Sequence, residues 1–313
     1  MYSTKCMTDP ITLVSPEINI STISAIDNNI TTSLSATVDY NNYKLFAKLW
    51  DYVFHGYWQR EGCLVSADLP LLTDGPLPML AFMSCYLIFV LRLGPWLMAN
   101  RPGLQLRTPM LIYNILMVAF NGYFFAKFIT LSHYGQAFLD FQFPSRFDTS
   151  SRAQDLAWTG YLYWLTKFVD LLDTVFFVLR KRDRQITGLH LYHHTIVPIL
   201  GWMTMRLMPM VPAFQMFGIF NSLVHTIMYA YYALAAFGPA IQPYLWWKRY
   251  ITQIQITQFV IFIAYSLILS RLQTGYPSTW FWFGFIQSPL FFYLFTNFYI
   301  KSYLKSKCKS KAQ

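Results

Sequence analysis

Three of the chain's six histidines fall in the string His190-Leu191-Tyr192-His193-His194, at the head of an apolar segment. Positions three and four apart share one helix face, so His190, His193 and His194 converge on about one turn. Imidazoles grouped in this way bind a metal, move a proton or carry a covalent intermediate. A second set, Asn221, His225, Tyr229 and Tyr232, follows the helical spacing of a single face. A lone histidine on an apolar face is ordinarily a satisfied core residue. One that shares its face with an amide and two phenols is a stronger functional candidate.

A third set lies in Lys167-Phe-Val-Asp170-Leu-Leu-Asp173-Thr174. Lys167 and Asp170 are placed to pair, and Asp173 is one turn further along. A buried lysine without a partner is prohibitively costly, so an ion-paired network is the minimum expectation. The network either fixes helix packing or marks a site. Thr252, Gln255 and Gln258, spaced by three, either join helices through their amides or face a cavity.

The elements that must position these groups read as membrane spans. Of 313 residues, 55% are hydrophobic and only 12% charged, about half the charged fraction usual in soluble domains. The apolar residues come in long blocks, which predict seven spans at 77–98, 109–132, 156–179, 189–206, 211–237, 248–270 and 279–300. The fold class expected is all-α: a polytopic membrane protein of about seven transmembrane helices. The regions expected are a polar, disordered extension over 1–40, a pre-membrane segment over 41–75 with an interfacial helix around Tyr43–Trp58, a seven-span domain over 76–300, and a basic tail over 301–313.

The net charge of +10 does not indicate a nucleic-acid partner. The basic residues gather at span ends, where the positive-inside rule puts them, and form no stripe on a soluble face. Their asymmetry and the sequons at Asn19 and Asn29 predict a lumenal N-terminus and a cytosolic C-terminus. Lys309 and Lys311 match a dilysine-type retrieval signal, though a generic basic tail would read the same way. Residues 1–40 lack the apolar core of a cleavable signal peptide. Cys6, Cys63, Cys85 and Cys308 have no metal-type spacing. Cys6 and Cys63 either pair in a lumenal compartment or remain free thiols.

The chain also resembles a known family, the fatty acid elongases of the endoplasmic reticulum, which are very-long-chain 3-oxoacyl-CoA synthases. The resemblance rests on DGPLP, LGPWLMANRPGLQLR, KFVDLLDTVFFVLRK, HLYHHT, NSLVHTIMYAYY and WWKRYITQIQITQF, in the family's order across about residues 74 to 300. The family usually has Glu where this chain has Asp170. Its Gly-rich stretch before the fifth span reads here as Met208-Pro209-Met210-Val211-Pro212.

The resemblance implies condensation of a long-chain acyl-CoA with malonyl-CoA in a cavity enclosed by the helices, with loss of CO2 and no cofactor or metal. A neutral imidazole can attack a thioester, so the expected route has His193 as the nucleophile forming an acyl-imidazole, His225 facing it, and His190 and His194 orienting the pair or polarising a thioester oxygen. Substrate contacts would come from Lys167, Asp170, Asp173, Asn221, Tyr229, Tyr232, Gln255 and Gln258, with the charged trio and the two glutamines on the CoA side. Arg180, Lys181, Arg182, Lys248 and Arg249 would attract CoA phosphates. The partners implied are the lipid bilayer and the 3-ketoacyl-CoA reductase, dehydratase and enoyl-CoA reductase of the cycle, with a homodimer left open. The rival readings are a membrane di-iron desaturase or hydroxylase, which also uses H-x-x-H-H but needs more histidine ligands, and a seven-span receptor.

Overall fold

A computed structural model describes residues 42–276 and 278–304, the side chains of 278–285 excepted. Among the described residues the architecture is helical, with one isolated bridge between Gln142 and Thr274. The long helices are α1 (Leu77–Met98), α2 (Arg107–Leu131), α3 (Ser151–Val169), α4 (Leu172–Leu179), α5 (Gly188–Leu207), α6 (Pro212–Ala236), α7 (Lys248–Leu272) and α8 (Ser278–Tyr299). Their ends follow the expected spans closely except at the third. That span begins earlier, at Ser151, and breaks at Asp170-Leu171 into α3 and α4. The sequons, Cys6, Cys308, Lys309 and Lys311 lie outside the described residues. Residues 42–53 are helical and form a unit of their own, with Tyr43, Leu45, Phe46, Leu49 and Trp50 exposed.

Local chemistry explains where the key helices begin. Ser150 accepts a hydrogen bond from the Ala153 amide and caps α3. Thr187 accepts from the His190 amide and caps α5, which sets the phase of the histidine turn. Pro212 occupies the first position of α6, where its missing N–H costs nothing.

By length and composition, α1, α2 and α7 are able to cross a membrane. Their outward faces are apolar and exposed, with Phe82 and Leu91 on α1, Ile112, Ile115 and Phe120 on α2, and Val260, Leu267 and Ile268 on α7. The polar residues point inward: Asn114, Lys167, Asp170, Asn221, His225 and Gln258 are all buried. Apolar outside and polar inside is the arrangement a bilayer demands, and the chain is an all-α polytopic membrane protein.

In the interior, α2 packs along α6, α3 along α5, and α7 against α8. Small residues permit the close approaches. A Cβ on Gly218 of α6 would lie 2.5 Å from the ring of Phe128 on α2, and one on Gly201 of α5 would lie 2.4 Å from Trp164 on α3. The segment before α1 is tied to the end of α5. The Cys63 amide donates to the Arg206 carbonyl (2.8 Å), the Ser66 hydroxyl to the Met205 carbonyl (2.6 Å), and the Trp202 indole to the Leu71 carbonyl (2.8 Å). Cys63 is buried, and burial pushes its thiol up from its ordinary value.

Because the Phe128 ring is itself buried, Gly218→Val should drive α2 and α6 apart. The expected cost is about 1–3 kcal/mol, read as a lower midpoint of thermal unfolding in detergent.

Candidate functional site

The centre of the site is an ion pair inside the bundle. Lys167 is 4% exposed and Asp170 3%, and Lys167 Nζ donates to Asp170 Oδ2 at 3.0 Å. The ammonium also lies 4.6 Å from the centre of the Tyr163 ring, a cation–π contact that further offsets its desolvation. Tyr163 in turn donates to Asn221 Oδ1 at 2.6 Å. The same Asp170 meets α6: Tyr229 OH is 2.9 Å from Asp170 Oδ1, and His225 Nδ1 is 3.8 Å from Asp170 Oδ2, just beyond hydrogen-bond reach.

The break after α3 gives this cluster its shape. Leu171, Asp173 and Thr174 donate their amides to carbonyls three residues back, so the chain turns more tightly than an α-helix. In such a turn residues i and i+3 eclipse. Asp173 therefore lines up with Asp170, and Tyr229 OH reaches Asp173 Oδ2 at 2.9 Å as well. Tyr113 of α2 completes the group, 3.2 Å from Tyr229 OH.

The histidines of α5 stand beside this cluster. The ring centres are 4.2 Å apart for His190 and His194, 5.2 Å for His193 and His194, and 6.4 Å for His193 and His225. His190 Nε2 lies 2.8 Å from Thr174 Oγ1, which accepts a hydrogen bond from Tyr86 OH (2.8 Å). That chain from α1 holds the first imidazole in place.

Two cavities meet at this point. One, of about 560 Å³, is lined chiefly by apolar side chains, among them Trp164, Val197, Leu200, Phe214, Phe217 and Phe262. It follows α5 from His193 to Leu207, a run of about 20 Å at helical rise. The other, of about 860 Å³, is lined by Arg107, Arg180, Arg184 and Lys248 together with Asp173 and all four clustered histidines. Both volumes are in the range of about 300–1,000 Å³ typical of ligand sites. His193 lines both. An imidazole at such a junction can reach the reactive atom of a molecule that is apolar at one end and anionic at the other.

The expected groups divide between the cavities. Asp173, Gln255, Tyr229 and Tyr232 line the basic cavity, whereas Lys167, Asn221 and Gln258 line the apolar one. The Lys-Asp network and the glutamine pair, expected together on one CoA-side wall, are thus split between the two cavities, and Asp170 lines neither. The broken helix turns Lys167 and Asp173 apart, and Gln255 and Gln258, one turn apart on α7, line different cavities. Of the five expected phosphate-attracting residues, Arg180 and Lys248 line the basic cavity. Lys181 instead donates to the Ala99 carbonyl, Arg249 to Tyr250 OH, and Arg182 is exposed away from the cavity.

Arg107, Arg184, Tyr86, Tyr113, Asn114 and Tyr163 join the site without having been expected there. The adjacent Tyr113-Asn114 inside an apolar run was a readable signal. Nothing in the sequence distinguishes Tyr163 from its aromatic neighbours.

The bundle and its cavities define a class: a polytopic membrane protein in which an apolar cavity and a basic cavity meet at a buried histidine centre. The chain belongs to the ELO family, described as GNS1/SUR4, whose model matches residues 71–311. It is 38% identical over 244 residues to very long chain fatty acid elongase 1 of Homo sapiens, covering 75% of this chain and 85% of that protein. It is 36% identical over 246 residues to very long chain fatty acid elongase 7 of Drosophila melanogaster, covering 78% and 74%. It is 38% identical over 240 residues to very long chain fatty acid elongase 4 of Macaca mulatta, covering 75% and 74%. The desaturase and receptor readings find no support in these relatives.

Asp170→Ala strands the Lys167 charge in the interior and should lower unfolding stability by about 3–5 kcal/mol. The double variant Lys167→Met, Asp170→Ala should recover part of that loss. Additive losses in a thermal double-mutant cycle would show that the pair is not coupled.

Proposed function

We propose that this chain is the condensing enzyme of very-long-chain fatty acid elongation, an acyltransferase that joins a long-chain acyl-CoA to malonyl-CoA. The product is a 3-oxoacyl-CoA two carbons longer, released with CO2 and free CoA. Family membership supports the reaction class, and one observation carries the mechanism: His193 alone among the histidines lines both cavities. An acyl chain in the apolar cavity and a CoA head in the basic one would put the thioester at His193. Arg107, Arg180, Arg184 and Lys248 would face the phosphates and supply long-range attraction for them.

The imidazole of His193 attacks the thioester carbonyl, and CoA leaves as the thiolate. Malonyl-CoA then occupies the basic cavity and loses CO2. The electron pair of its broken C–C bond attacks the acyl-imidazole carbonyl, and His193 is the leaving group. His225, its ring stacked near that of His193 at an interplanar angle of 27°, exchanges the ring proton. His190 is held by Thr174 and orients the neighbouring turn. The apolar walls exclude water, which would hydrolyse the acyl-enzyme.

The positive-inside asymmetry supports an orientation with the basic cavity facing the cytosol, the N-terminus lumenal and the C-terminus cytosolic, and the resemblance to the elongases supports an endoplasmic reticulum location. The product then passes to a reductase, a dehydratase and a second reductase.

Microsomes containing the wild-type chain should make a two-carbon-longer 3-oxoacyl product only when malonyl-CoA is supplied. His193→Gln should reduce it by about 10²–10⁴-fold or more. Intact-protein mass spectrometry after acyl-CoA alone should reveal an acyl adduct on the wild type and none on His193→Gln. An active wild type that never carries the adduct would replace the covalent route with direct condensation in a ternary complex. Absence of malonyl-CoA dependence would sink the condensing assignment itself.

A further inference from the structure

The hydroxyl of Tyr229 stands between two carboxyl groups, 2.9 Å from Asp170 Oδ1 and 2.9 Å from Asp173 Oδ2. A phenol has one proton to donate, and an ionised carboxylate only accepts. With both aspartates ionised, one carboxylate would face the phenol's lone pairs at hydrogen-bond distance, inside a buried cluster where an unmet contact is costly. Tyr113 does not resolve the conflict. Its one proton is open to Asp173, to Tyr229 (3.2 Å) and to the Val169 carbonyl (3.3 Å), and whichever takes it, one of the two 2.9 Å contacts between Tyr229 and the carboxylates still lacks a proton. The geometry therefore requires one more proton, shared among Asp170, Tyr229 and Asp173.

The surroundings say where that proton rests. Lys167 donates to Asp170, and His225 stands 3.8 Å from the same carboxylate, so the positive charge gathers on Asp170. Asp173 has no ion-pair partner among the described residues. The groups around it are phenols, Tyr113 of α2 and Tyr229 and Tyr232 of α6, with the Thr174–His190 contact one residue further on. It is also the one carboxyl group among the described residues that line the basic cavity.

We propose that Asp173 is held as a neutral carboxylic acid that serves as the proton donor to the departing CoA thiolate, with Tyr229 as the hydrogen bond that changes sides. In the resting cluster Asp173 donates to the Tyr229 oxygen and Tyr229 donates to Asp170. When Asp173 gives up its proton, the Tyr229 hydroxyl turns to the new carboxylate, and Asp170 keeps Lys167.

This step rests on the condensing reaction, whose balance requires it. The acyl C–S bond breaks with its electron pair on sulfur, malonyl loses CO2, and the pair from that C–C bond forms the new C–C bond. What remains is one thiolate, and one proton is consumed per turnover to release CoA as the thiol. The basic cavity brings that sulfur to the wall on which Asp173 lies, and solvent there restores the proton.

Infrared spectra of the substrate-free full chain test the shared proton without reference to any reaction. The wild type should show a carboxylic-acid carbonyl stretch that shifts in heavy water and is missing from Asp173→Asn. Because an amide reproduces both the neutral charge and the donor to Tyr229, Asp173→Asn should fold with an unchanged melting temperature. Its malonyl-CoA-dependent turnover should fall at least about 10²-fold, and Asp173→Glu should recover part of it. The deficit should also narrow with acyl thioesters of more acidic thiols, which need no proton to leave; a purely structural defect would not. Absence of the infrared band in the wild type overturns the proposal, as does wild-type turnover in Asp173→Asn. A wild type that shows the band but makes no malonyl-CoA-dependent product would instead remove the condensing reading and the proton-delivery step with it.

Discussion

Lys167 places an ammonium group inside a membrane-embedded bundle, and much of the interior is organised around that charge. The carboxylate of Asp170 neutralises it at 3.0 Å, the Tyr163 ring faces it, and Asn221 fixes the Tyr163 hydroxyl. Losing any one partner leaves the ammonium less solvated where water is scarce, so the contacts hold one another in place. Because Asp170 also receives Tyr229 and lies near His225, the pair that stabilises the packing of α3 also fixes the active face of α6. Structural and functional roles are not separable here.

The tight turn at Asp170-Leu171 has a consequence beyond local geometry. A continuous α-helix would set Asp170 and Asp173 off from each other around its axis. The tighter turn aligns them on one phenol, and two acidic groups become a unit that shares a proton. The break also separates the neighbourhoods of Lys167 and Asp173. The ammonium faces the apolar cavity, and the acid faces the basic one. One short irregularity thus divides the charges of a single motif between the two cavities.

Only tight packing allows the two cavities to meet at one imidazole. Gly201 lets Trp164 of α3 lie against α5 and form a wall of the apolar cavity, and Gly218 lets α6 approach α2. Thr187 sets where α5 begins, and with it which way His193 faces. The outer helices contribute lipid-facing surface and, through Tyr86, a hydrogen bond that reaches the histidine turn by way of Thr174.

Most span limits, the histidine turn and the Lys-Asp pair were legible in the chain because each is a local pattern, whereas the break in the third span was not. Apolar length, a spacing of three or four, and the cost of an unpaired buried charge are properties of neighbouring residues. The family motifs belong to the same category. The sequence could not reveal that Gln255 and Gln258 face different cavities, that Arg107 and Arg184 belong to the basic wall while Arg249 does not, or that Tyr163 is the aromatic that meets the lysine. Those outcomes depend on how helices far apart in the chain rotate against one another. Periodicity says which residues share a face but not what that face meets. Residue type and local spacing determined the chemistry available to this protein. The packing of α3, α5 and α6, with the tightened turn at Asp170, decided which of those groups stand close enough to exchange a proton or share a substrate.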